Sequence, residues 1–189
     1  MISKLLLSFG NRKLPKTTAI FNMGPAKTCP SDKLGLCKVS DICYAKKSER
    51  LYRHALPYRE RQAEYWLSCT AETFVADFLN QVKRKKTAVK YLRFNESGDF
   101  YTQDCVNKAE KIAKLLRVVP IFVYMYTARI DLNFDACKEL IITGSGFMVH
   151  NQFNVVNAFT GENRQCKANC NICSLCTKQG KYTIEALKH

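Results

Sequence analysis

A chain of 189 residues with 47% hydrophobic content can bury a sizeable core, which excludes a disordered or fibrous protein. Its 30 Lys and Arg against 16 Asp and Glu leave a net charge of +14, which favours nucleic acid or another polyanion as a partner. The apolar run at residues 5–9 is too short for a secretory signal or a bilayer span, so no membrane association and a reducing cytoplasmic setting are expected.

In chain order, the first feature is a polar loop marked by Pro25, Pro30 and Gly35 that carries Cys29, Cys37 and Cys43. From Pro57 to about Lys86, Ala63, Trp66, Leu67, Phe74, Phe78 and Val82 recur at helical spacing and predict one long amphipathic helix. Residues 88–94 read as a strand, followed by the polar turn Asn95-Glu96-Ser97-Gly98-Asp99. Thr102 suits the cap of a second helix with Val106, Ala109, Ile112, Ala113 and Leu116 facing inward, and residues 118–126 read as a strand buried on both faces. A short helix is predicted around residues 133–138, then strands at 140–143, 147–150 and 155–159, with Gly144 and Gly146 as breaks.

Strand and helix in alternation favour a parallel sheet with right-handed crossovers, whose chemistry gathers after the strand carboxyl ends. A closed eight-unit barrel takes about 250 residues. The expected fold is therefore α/β, a partial or open (β/α) barrel-like parallel sheet forming one domain over 1–189, with cysteine-rich metal-binding loops at 25–47 and 164–178.

Ten cysteines in a reducing compartment are better read as metal ligands than as disulfides where they cluster. Cys166, Cys170, Cys173 and Cys176 lie within eleven residues, so one tight loop can turn four sulfurs inward. Four thiolates can close a tetrahedral zinc site or hold a 4Fe-4S cluster, and gaps of two or three residues are more typical of iron–sulfur ligation than of zinc. Cys29, Cys37 and Cys43 form a second set whose fourth position is open to Cys176 or another distant cysteine, to water or to a substrate. Cys69, Cys105 and Cys137 stand alone and read as packing residues.

Glu96 and Asp99 follow a buried strand, where carboxylates can act as acid or base or hold a hard cation, with Asn95 and Arg93 beside them as ligand-binding groups. The competing reading is an Asx-type turn and helix cap. His150 follows the glycine break and is either a proton carrier at the same rim or a satisfied core histidine. Arg50, Arg53, Arg59 and Arg61 surround His54 in a basic stretch suited to phosphate or to solvent.

The spacing of Cys166, Cys170 and Cys173 resembles the radical S-adenosylmethionine signature, which would add S-adenosylmethionine as a cofactor, although that motif follows the first strand of its fold. Across most of the chain a second resemblance holds. Thr28-Cys29-Pro30, Leu36-Cys37-Lys38, Ile42-Cys43-Tyr44-Ala45-Lys46-Lys47, the turn Leu92 to Phe100, Tyr124 to Thr127 and the terminal cysteines are similar to the phage and plasmid family called gene-product-eighty-eight-like. That resemblance implies a mobile-element origin, residence in a host-cell cytoplasm and a barrel-derived, radical-SAM-like fold. The expected function is an iron–sulfur-cluster-binding protein of phage or mobile-element type, with a redox or radical-type enzyme as its catalytic form. The alternative is a basic nucleic-acid-binding module that zinc or a cluster stabilises without catalysis.

Overall fold

The computed structural model describes residues 4–188. Its eight strands are β1 (Ser8–Phe9), β2 (Thr18–Phe21), β3 (Tyr91–Phe94), β4 (Phe122–Thr127), β5 (Ile141–Ser145), β6 (Asn151–Val156), β7 (Arg164–Gln165) and β8 (Thr183–Leu187). They form one sheet in the order β1-β2-β3-β4-β5-β6-β8-β7, with β1 antiparallel to β2 and every other pair parallel. The sheet does not close on itself, as the chain length led one to expect.

Five α-helices are present among the described residues: α1 (Pro30–Lys33), α2 (Tyr44–Leu51), α3 (Ala55–Ser68), α4 (Ala71–Val82) and α5 (Gln103–Arg117). The long helix expected over 57–86 is two helices. Cys69 takes an extended backbone and the Thr70 hydroxyl accepts the Thr73 amide to start α4 afresh. Lys108 Nζ donates to the Cys69 carbonyl at 3.1 Å and also to the Trp66 carbonyl, stabilising the break from α5.

No helix occupies 133–138. There the buried Glu110 of α5 accepts the amides of Lys138, Glu139 and Leu140, giving those N–H groups partners that helical turns would otherwise supply. Residues 147–150 bend rather than pair as a strand, and β6 starts at Asn151 and ends at Val156, short of the predicted 159. Glu185 of β8 accepts the Thr160 amide and hydroxyl, both at 2.9 Å, and draws that segment out of the sheet.

Alternation along the strands gives the sheet two different faces. One carries Ala19, Phe21, Leu92, Phe94, Val123, Met125 and Ile142, which pack with Trp66, Phe74, Phe78 and the apolar side of α5 into the core. Aromatic rings knit this core together: Phe21 lies 5.1 Å from Phe74 and Trp66 lies 5.6 Å from Phe94, centroid to centroid, in edge-on geometry. The opposite face carries Thr18, Tyr91, Arg93, Tyr124, Tyr126 and Thr143, and among the described residues no α-helix covers it.

Candidate functional site

The uncovered face is crossed instead by the segment between β7 and β8, which contains the four C-terminal cysteines. The Cys166 amide donates to the Glu185 carbonyl at 2.7 Å, and the Cys170 amide donates to the Lys13 carbonyl at 2.9 Å, ahead of β2. Tyr182 Oη donates to the Leu175 carbonyl at 2.5 Å, and the turn Leu175–Thr177 rests on β4 and β5. The segment is thus a strap tied at the β8 edge and near the β2 edge.

Between strap and sheet lies a cavity of about 410 Å³, roofed by Cys166, Cys170, Cys173 and Cys176 and floored by Arg93, Tyr124 and Tyr126. The Tyr126 hydroxyl lies beside the Cys176 thiol. The Arg93 guanidinium stacks 5.2 Å over the Tyr126 ring. Burial pushes the Cys176 thiol up to about 12 and also raises Cys170, while the Arg93 charge favours the thiolate at both. Unligated, these groups are protonated and weakly reactive; ligation by a cation would remove their protons.

Among the described residues, no three His, Cys, Asp or Glu side chains are gathered tightly enough to hold one metal ion. The donor set nevertheless fits a thiolate centre in kind: four soft sulfurs border one cavity, with a buried cation beneath them.

The other cysteine loop sits at the carboxyl rim of the parallel strands. Cys29 opens α1, whose Ser31 donates its hydroxyl to Asp99 at 2.5 Å. Burial first, and then the charge of Asp99, pushes the Cys29 thiol up to about 12, and burial also raises Cys37. Lys46 holds the loop shut by donating to Asp32 and Ser40 at 2.9 and 2.6 Å. Cys43 leads into α2, where Tyr44 donates its hydroxyl to the Glu96 carbonyl at 2.5 Å.

Asp99 is 4% exposed and accepts four hydrogen bonds, from the Ser31 and Thr127 hydroxyls and the Phe100 and Ala128 amides. Burial raises its pKa and those four donors oppose the rise. Its neighbour Asn95 adopts a left-handed φ of 59° and accepts the Met23 amide at 2.9 Å. Glu96 accepts from Asn11 at 2.5 Å and lies 3.8 Å from Arg93. The Asn95–Asp99 turn therefore joins β2, β3 and β4 at the rim, with Glu96 and Arg93 facing the uncovered side.

His150 lies apart, at the amino end of β6. Its Nδ1 accepts the Ile142 amide and its Nε2 meets the Cys137 carbonyl, both at 3.1 Å, a neutral ring with both nitrogens used. Cys105 and Cys137 are buried, and Trp66 Nε1 donates to Cys105 Sγ at 3.3 Å.

Two further groups carry the rim without any periodic sequence signal. Arg59, read as part of a basic stretch suited to phosphate or to solvent, is buried and pairs with Glu49 at 2.8 Å. Glu49 in turn accepts the Ala26 and Lys27 amides at 2.7 and 3.0 Å, fixing the approach to Cys29.

No helix among the described residues is long and apolar enough to cross a membrane. No curated protein and no solved structure matches the chain, and nothing supports the radical S-adenosylmethionine resemblance, whose motif would precede rather than follow most of the sheet. The family model described as Gene product 88 matches residues 5–178, from ahead of β1 to the far end of the cysteine strap. This phage-type family, gene product 88, is the one to which the chain belongs.

Proposed function

We propose that the chain is an iron–sulfur protein whose strap cysteines, Cys166, Cys170, Cys173 and Cys176, hold a cluster over the uncovered face of the sheet. The observation that carries this reading is that all four thiols border one cavity with Arg93 and Tyr126. An anionic thiolate centre there would meet a buried cation and a hydroxyl donor, which offset the cost of placing its charge away from water. The cavity exceeds what a single ion needs. A bound cluster would supply one-electron chemistry, while the strap would shield it and Arg93 would balance its charge.

Cys29, Cys37 and Cys43 offer a second, three-thiol set at the rim. With three protein ligands one coordination position stays available to a small molecule, and Asp99 and Asp32 are the nearby carboxylates.

A separate observation favours a second reading, nucleic-acid binding. Arg12, Lys13, Lys16, Lys83, Arg84, Lys85, Lys86 and Lys90 fall in two segments, 12–16 and 83–90, that contain no acidic residue. The two segments adjoin where the Lys90 amide donates to the Thr17 carbonyl at 2.8 Å, and Lys16, Lys85 and Lys86 share a shallow cavity with Phe9. None of the eight forms an ion pair among the described residues.

Iron, zinc and acid-labile sulfide measured per chain after purification without oxygen test the first reading. Several irons with matching sulfide are expected, and Cys170→Ser is expected to lose most of the strap-bound iron and to unfold more easily, because ligation contributes to folding. Zinc without sulfide would leave a metal-stabilised binding module, and a Cys170→Ser variant with undiminished metal would end the assignment of the strap.

A further inference from the structure

The floor of the cavity under the strap carries a feature of its own, besides the cysteines of the roof. Arg93 projects into it with a side chain only 17% exposed, and its Nε has no hydrogen-bond partner. A buried guanidinium is costly unless an anion meets it. Its nearest carboxylate, Glu96, stands 3.8 Å from Nη1 and already accepts from Asn11.

The lining of the cavity adds two cations, Lys90 and Lys167, and no Asp or Glu. Tyr124 and Tyr126 supply aromatic surface beside these groups. About 410 Å³ suits a small metabolite rather than a polymer.

We propose that this cavity binds a small organic oxyanion, a carboxylate or a phosphate, on the guanidinium of Arg93. The guanidinium fork takes such groups by two parallel hydrogen bonds, with Lys90 and Lys167 drawing the anion to the mouth. This goes beyond the iron–sulfur reading and stands on the floor of the cavity rather than its roof. If a cluster occupies the roof, the anion sits beside it as the candidate substrate.

Titration calorimetry on the protein purified without oxygen tests this, with acetate, inorganic phosphate and adenosine monophosphate as probes and iron measured on every sample. Saturable binding of at least one probe is expected, weakened roughly tenfold to a hundredfold in Arg93→Met, the loss of a charge-assisted pair. The surface double variant Lys111→Met with Lys114→Met, on the solvent side of α5, is expected to bind as the parent does. Should Arg93→Met fail to fold, Arg93→Lys keeps the charge but loses the fork and must bind more weakly than the parent.

No saturable binding by the parent, or equal affinity in Arg93→Lys, overturns the proposal. Equal weakening in the lysine double variant overturns it too, as a nonspecific effect of net charge. Loss of iron in Arg93→Met from a parent that binds no probe would make Arg93 the counter-charge of the metal centre alone. Anion binding by a parent without iron would leave this proposal standing and remove the cluster.

Discussion

Asp99 shows how one side chain can serve the site without touching a ligand. Its two oxygens accept four donors from α1, from the start of the next segment and from the end of β4, so a single carboxylate ties the Cys29 loop to the rim. Replacing it by Ala would strand two hydroxyls and two amides in a buried place. We expect Asp99→Ala to cost about 3–5 kcal/mol in urea unfolding. A loss under about 1 kcal/mol would mean that water replaces the carboxylate and that the rim is looser than its hydrogen bonds imply. His150 gives a pH dependence of defined sign. Burial lowers its pKa, and its Nδ1 is occupied as an acceptor, so the folded state disfavours the charged ring. The unfolded chain therefore binds the extra proton. This contribution to stability is full above about 6.5, the ordinary histidine value, and is lost as pH falls towards the lowered folded value. Unfolding curves across that window should flatten in His150→Gln relative to the parent; parallel curves would assign the dependence to other groups.

At the scale of elements, legibility followed periodicity. The apolar spacing from Val106 to Leu116 gave α5, and the runs ending at Phe94 and Tyr126 gave β3 and β4, because each buries one face against many neighbours. The turn after β3 was readable as either a catalytic rim or a cap; its side chains and amides bond to neighbouring loops, and Thr102, at the N-cap of α5, makes no side-chain cap bond. What escaped was set by contacts distant in sequence. β2 is only four residues long and wholly buried, so its periodicity is too short to read, yet it pairs on both sides, with β1 and β3. The break at Cys69 depends on Lys108, and the expected helix at 133–138 gives way to Glu110, each partner 28 to 39 residues away. Neither the burial of Arg59 nor its pairing with Glu49 has a local signature. Gly98 illustrates a constraint that is legible only once β2 and β3 are side by side. It has φ +74°, and a Cβ there would lie 2.6 Å from the Gly24 carbonyl oxygen. Gly98→Ala should destabilise by about 2 kcal/mol or more through backbone strain and this clash. A neutral result would show that the two loops can separate without cost.

For the molecule as a whole, the sheet divides two kinds of surface. Its covered face is an aromatic core, while its other face, strap and cavity hold the four C-terminal cysteines, and the acid-free basic band runs along the amino ends of β2 and β3. The strap joins the two regions physically, since the Cys170 amide is anchored on Lys13 within that band. A metal centre that orders the strap would therefore also order part of the basic surface, and the two functional readings become coupled rather than exclusive. If nucleic acid is the partner, association rests largely on release of counterions from phosphates. The logarithm of affinity for single-stranded oligonucleotide should fall linearly with the logarithm of salt. Removing four cations together, as Lys83→Ala, Arg84→Ala, Lys85→Ala and Lys86→Ala, should reduce the magnitude of that slope by roughly 3, at about 0.7 per phosphate contact. An unchanged slope would take the band out of the interface. If removing the metal from the parent protein reduces the slope as well, strap order and the basic surface act together; if it leaves the slope intact, the metal centre and the band serve separate purposes.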